Sequence, residues 1–111
     1  MVQIPQSLED AITVVKDKLQ GDIEFVVKNP EHTVLNRAHH GLGMWIRNSW
    51  GFWRGSNANL VQELKILGLN HPDDMSSLII QCAIRDIKGE DRDIQGTVQF
   101  YKDYWANANA V

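Results

Sequence analysis

The sequence predicts an all-α fold: a compact single domain of five or six short helices around a Trp-rich core. Three observations predict it. Apolar residues recur at helical rather than alternating spacing along most of the chain. The apolar runs are bounded by residues that start or stop helices, among them Ser7, Pro30, Pro72, Gly21 and Gly68. No convincing β-hairpin and no internal repeat interrupts the pattern.

Taken in order, Ser7-Leu8-Glu9-Asp10 has the form of a helix start, and Leu8, Ala11, Ile12, Val15 and Leu19 follow on one face. Gly21 ends that segment. Residues 22–29 (DIEFVVKN) fit a short strand or one or two helical turns; with no partner strand in sight we read them as helix. Pro30 suits the first turn of the next helix. From about Glu31 to Trp50 the pattern is helical, with a break allowed near Gly41 and Gly43. Gly55-Ser56-Asn57 makes a turn, with Ser56 as candidate N-cap. Leu60, Val61, Leu64 and Leu67 line a short helix that Gly68 closes. In Asn70-His71-Pro72-Asp73-Asp74, proline fits the first helical position and the aspartates suit the positive end of the helix dipole. Met75, Leu78, Ile79, Cys82, Ala83 and Ile87 mark the buried face of that helix. Ile80 and Ile84 widen it, so it is expected to be central. Ile94, Val98, Tyr101 and Trp105 define the last helix. One core is expected to gather Trp45, Ile46, Trp50, Leu78, Ile79, Tyr101 and Trp105.

Composition narrows the classes. At 111 residues, with 43% hydrophobic and 23% charged residues, the chain is expected to form one globular core. The domain is placed at residues 1–105, and the tail ANANAV, residues 106–111, is expected to fray. A net charge of −3 argues against general nucleic-acid binding. No apolar run is long enough to span a bilayer, so no membrane partner is expected. The start, MVQIPQSLED, has no basic and apolar leader pattern. Cys82 is the single cysteine, which excludes an internal disulfide. Together these lead to the expectation of a cytoplasmic protein.

The richest stretch is HHGLGMWIRNSWGFWRG, residues 39–55, with three of the four tryptophans, two histidines, two arginines and four glycines. Leu42, Trp45, Ile46, Ser49, Trp50 and Trp53 fall on one helical face, the pattern of a core. On an unbroken helix, Arg37, His40, Met44, Arg47, Gly51 and Arg54 form a stripe on the other face. Arginine suits two-point contact with a carboxylate or phosphate, so the stripe is a candidate anion site. It is equally an internal network, because Asp73 and Asp74 begin a neighbouring helix and are ready partners for Arg47. Trp53, at the helix exit beside Arg54, is a candidate anchor for a protein partner. Close helix packing is the expected reason for Gly41 and Gly43.

The runs GLGMWIRNSWGFWRGS and LGLNHPDDMSSLII, with a closing QFYKDYW, resemble an uncharacterised family of small bacterial proteins. That family carries a pattern close to GLGxWIRNxWGLWxGSxL, then LGIxHPDDMSxIIL, and the resemblance covers roughly residues 3–105. The departures are mild: Phe52 where leucine is commoner, and Gln81-Cys82-Ala83. As a domain of unknown function, the family implies no catalytic residues.

The residues themselves show little chemistry. His39, His40, His71, Asp73 and Asp74 lack metal-ligand spacing, and adjacent histidines point about 100° apart on a helix. No metal or cofactor is expected. His71 is a candidate helix cap. Cys82 sits on an apolar face, as an inert thiol would. Neither a nucleophile elbow nor a phosphate loop is present. The expected function is therefore a small non-catalytic interaction or regulatory domain with an unknown protein partner, monomeric or homodimeric. The alternative is a small-anion-binding protein or enzyme built on Arg37, His40 and Arg47 with Asp73 and Asp74. The candidate site residues on either reading are Arg37, His40, Arg47, Trp53, Arg54, His71, Asp73 and Asp74.

Overall fold

Helix α1, Leu8–Leu19, starts where expected: Ser7 Oγ accepts the Asp10 backbone N–H at 3.1 Å. A second cap comes from far along the chain, as Leu8 N–H donates to Glu63 at 2.9 Å. The computed structural model describes residues 4–52 and 58–109, and all regular elements within them are helical. A 3₁₀ turn, Gln20–Asp22, carries α1 into the short α2, Ile23–Lys28. Of residues 22–29, all but Asn29, the extended C-cap of α2, are helical, and none forms a strand.

Pro30 is the N-cap of α3, Glu31–Ala38. The chain then continues without leaving helical geometry through a π-helical segment, His39–Gly43, into α4, Met44–Ser49. The break allowed near the glycines is this π segment, a widened turn rather than a kink. After α5, Ala58–Leu67, the chain turns at Gly68 into α6, Pro72–Lys88, with proline in its first turn. The last helix, α7, is Ile94–Asn109, one turn beyond Trp105. The expected cap at Ser56 lies outside the described residues.

α6 is the central helix. Met75 through Ile80, then Cys82, Ala83 and Ile84, are all buried, so its apolar stripe is wide enough to pack on α1, α3, α4 and α7 at once. Ala11, Ile12 and Val15 of α1 meet it fully buried, as do Ile46 and Trp50 from the α4 run. The radius of gyration, 13.6 Å, is that of a folded domain of this length.

The expected core needs one correction. Ile46, Trp50, Leu78 and Ile79 are buried together, with Trp45 and Tyr101 half-buried against them. Trp105 is not among them. Its ring lies half-exposed under His71 and its N–H is engaged by Asp74. Its partners, His71 and Asp74, both belong to the start of α6, so the ring closes on that helix start instead of entering the core.

Charge clusters fasten the outer helices to α6. Arg85 donates to Glu31 through Nε and Nη2 at 2.7 and 2.9 Å, tying α6 to α3, and its Nη1 reaches Thr97 of α7 at 2.6 Å. Asp86 accepts from Lys16 of α1 and from Nε and Nη2 of Arg92. Gly68 has φ +119°, which L side chains rarely adopt, and a Cβ there would stand 3.1–3.2 Å from Lys102 and Val98. A bare backbone at this turn is what allows α7 to lie close.

Candidate functional site

Arg47 is the centre of the best-defined polar cluster. Only 7% of its side chain is exposed. Its Nη1 donates to Ser76 Oγ at 2.8 Å, its Nη2 to the His39 carbonyl at 3.4 Å, and its Nε stands 3.2 Å from Asp73. Ser76 in turn donates to the Asp73 carbonyl at 3.0 Å. The guanidinium therefore joins the π segment to the first turn of α6, and Asp73 is the aspartate it pairs with. Gly43 makes this arrangement possible, because a Cβ there would lie 3.0 Å from Arg47 Nη1.

Asp74, the other candidate partner, turns to α7 instead. It accepts the Trp105 indole N–H at 2.8 Å. Burial pushes the Asp74 carboxyl above its ordinary range; the bond from Trp105 and the nearby His71 oppose this, and Asp73 adds to it. His71 occupies the N-cap of α6 but makes no side-chain capping bond. Its ring stacks on Trp105, with centroids 3.7 Å apart and planes 13° from parallel. Around this clasp lies an open cleft of about 350 Å³, where Asn70, Tyr101 and Lys102 also face in. Tyr101 donates to Gln81 at 2.8 Å, and burial pushes its hydroxyl up to about 12.

The arginine stripe does not exist as one surface. A π-helical turn changes the angular register of everything downstream, so the spacing that aligns Arg37, His40 and Arg47 on an unbroken helix fails. Arg37 lies over the Phe25 ring of α2 at 4.2 Å, whereas Arg47 is buried against α6. His40 is exposed, and its ring meets His39 edge-on at 5.1 Å. Trp53 and Arg54 lie outside the described residues. Of the eight sequence candidates, the structure thus gathers Arg47 with Asp73, and His71 with Asp74, at the two sides of one helix start.

Trp105 is the residue that sequence reasoning misplaced. Its signal was the indole N–H, which needs an acceptor that an apolar core does not supply. Trp50 behaves as predicted for core: it is fully buried, though its Nε1 finds no acceptor among the described residues.

Chemically, Arg47 is committed to internal acceptors. Burial raises the Cys82 thiol to about 11, leaving it protonated at neutral pH. Among the described residues, no three of His, Cys, Asp and Glu converge as metal ligands would, and no helix is long and apolar enough to cross a membrane.

Comparison with known proteins finds a family model. A family described as Domain of unknown function (DUF6794) matches residues 4–87, which takes in α1 to nearly the end of α6 and leaves out α7. No curated protein matches, and neither does any solved structure.

Proposed function

The chain belongs to that family of domains of unknown function, and from this premise we propose a non-catalytic interaction domain that presents the outer face of α7 to a protein partner. The observation that carries the reading is a pair of aromatic side chains left in solvent. Phe100 is 66% exposed and Tyr104 57%, one turn apart on α7. Their nearest ring neighbours are Tyr101 and Trp105, next to them in the chain. The inner face of α7, with Val98 and Tyr101, already accounts for its attachment to the body. Aromatic residues at helical spacing suit the apolar groove of a partner, and interfaces draw much of their energy from such anchors. Between them the outer face carries one carboxylate, Asp103, which accepts from the neutral Gln99 at 2.8 Å and keeps its charge. The partner surface is correspondingly apolar at its centre, with a polar or basic group at the Asp103 edge.

Absence of catalysis is part of the proposal. It rests on the internal engagement of Arg47 and the unreactive setting of Cys82. We also place the domain in a bacterial cytoplasm, on the family resemblance and on a single, buried cysteine.

The test is a photo-crosslinking side chain introduced at Phe100 in the native cell, with one at Val27, exposed on α2, as control. A defined protein crosslinked at 100 but not at 27, and lost in Tyr104→Ser, supports the reading. Equal crosslinking at both positions, or none at 100, overturns it.

A further inference from the structure

A groove of about 250 Å³ runs between the end of α1, α2 and the α3–π run. It is remote in sequence from α7, and a ligand bound in it is independent of any protein partner on that helix. Its apolar lining comes from Leu19, Val26, Val34 and Leu42. Two cations line it as well, and each is held on an aromatic ring. Arg37 lies 4.2 Å from the centroid of Phe25, and Lys18 lies 4.2 Å from that of Trp45. Neither makes an ion pair with any described residue, although arginines 47, 85 and 92 all do. One carboxylate, Asp22, shares the lining. Two cations against one anion leave a local charge of about +1 in a chain whose net charge is −3.

Gly41 completes the groove. It sits in the π segment, it is exposed, and a Cβ there would meet nothing within 4 Å. No neighbouring side chain requires glycine at this position. A bare backbone facing a groove lets a ligand approach closely, and π segments recur at binding sites.

We propose that this groove binds a small apolar monocarboxylate. The hydrocarbon or aromatic body rests on the half-buried Leu42 and Phe25, over a floor of the buried Leu19, Val26 and Val34. The carboxylate meets Arg37, whose planar guanidinium suits two-point contact, with Lys18 as the second charge. The net local charge matches one carboxylate rather than a phosphate dianion. The volume falls just below the roughly 300–1,000 Å³ of sites that take drug-sized ligands, so the ligand is small.

Phenylacetate is the probe, and 2-phenylethanol, of nearly the same shape without the charge, is its control. Amide and indole NMR resonances of the whole chain are followed as each is added. Saturable shifts confined to residues 18–45, including the Trp45 indole as Lys18 leaves its ring, are expected with phenylacetate. The alcohol is expected to bind about tenfold or more weakly, the scale of one lost charge-assisted contact. Arg37→Gln and Lys18→Gln, both at exposed positions and checked for unchanged circular dichroism, should each weaken phenylacetate by about tenfold and leave the alcohol unaffected. No saturable shift in the high millimolar range, equal affinity for acid and alcohol, or indifference to both substitutions overturns the proposal.

Discussion

Gly43 and Arg47 lie one helical turn apart, and each accounts for the other. The guanidinium reaches Ser76 and the His39 carbonyl only because nothing projects from position 43 into its path. Glycine inside a helix costs about 0.5–1 kcal/mol relative to alanine, so Gly→Ala there normally stabilises. Gly41→Ala, with open space around its Cβ, should raise stability by about that amount in a denaturant melt. Gly43→Ala should lower it, because the new methyl displaces a side chain held at three points. Arg47→Ala leaves the buried Ser76 hydroxyl and the His39 carbonyl without their donor, an expected loss of about 1–3 kcal/mol. Asp73→Ala should lose only about 0–1 kcal/mol, since 57% of the Asp73 side chain is exposed and its pairing is screened. A large loss at Asp73, matching that at Arg47, would show a fully desolvated pair instead.

Among the elements, α7 is attached at a few specific places. Gly68 lets it approach, Thr97 and Val98 bury its first half, and the His71–Trp105–Asp74 clasp holds its second. Gly68→Ala should therefore speed amide exchange in α7 while leaving the central turns of α6 protected. Asp74 gives the clasp a pH dependence of definite sign. Burial raises its folded pKa above the ordinary 3.8, so the folded state holds this proton more tightly than the unfolded chain. The resulting stabilisation is complete below the unfolded value and is lost as pH rises through the folded one. Asp74→Asn keeps an oxygen acceptor for Trp105 and removes the charge. The variant should gain on the natural chain as pH rises from the ordinary carboxylate range to neutrality, measured as the difference between their denaturation midpoints. A difference that does not vary with pH would show that Asp74 is not desolvated.

At the scale of the whole molecule, α6 decides stability. Ile84 is fully buried at the centre, and Ile84→Ala should cost about 2–5 kcal/mol. Acid should loosen the molecule through the opposite sign of titration from that of Asp74. Hydrogen bonds from Arg92 hold the Asp86 carboxyl below its ordinary 3.8, against the effect of burial. For Glu31, burial alone would raise the pKa, but hydrogen bonds from Arg85 and Gln81 outweigh it and hold the carboxyl below 4.5. Both groups contribute stability that is present above those ordinary values and is lost as pH falls through the lowered ones. Circular dichroism melts should show a falling midpoint in that acid range, and Asp86→Asn should flatten the fall while lowering stability at neutral pH.

Local chemistry made most of the helices legible. Ser7 as a cap, Pro72 in a first turn, and the wide apolar stripe of residues 75–84 are properties of neighbours within a few residues, which a single sequence displays directly. Arg47 with an aspartate of the HPDD turn was also readable, since two adjacent aspartates open α6. Tertiary structure alone decided which aspartate. Asp73 and Asp74 differ by about 100° around one helix, and the positions of α4 and α7 send one to Arg47 and the other to Trp105. It alone decided that the arginine stripe is split, because a π turn changes register without an unambiguous mark in composition. The groove of Lys18 and Arg37 has the same origin: its two cations stand on different helices, and no periodicity within either reports that a third, α2, closes the space between them.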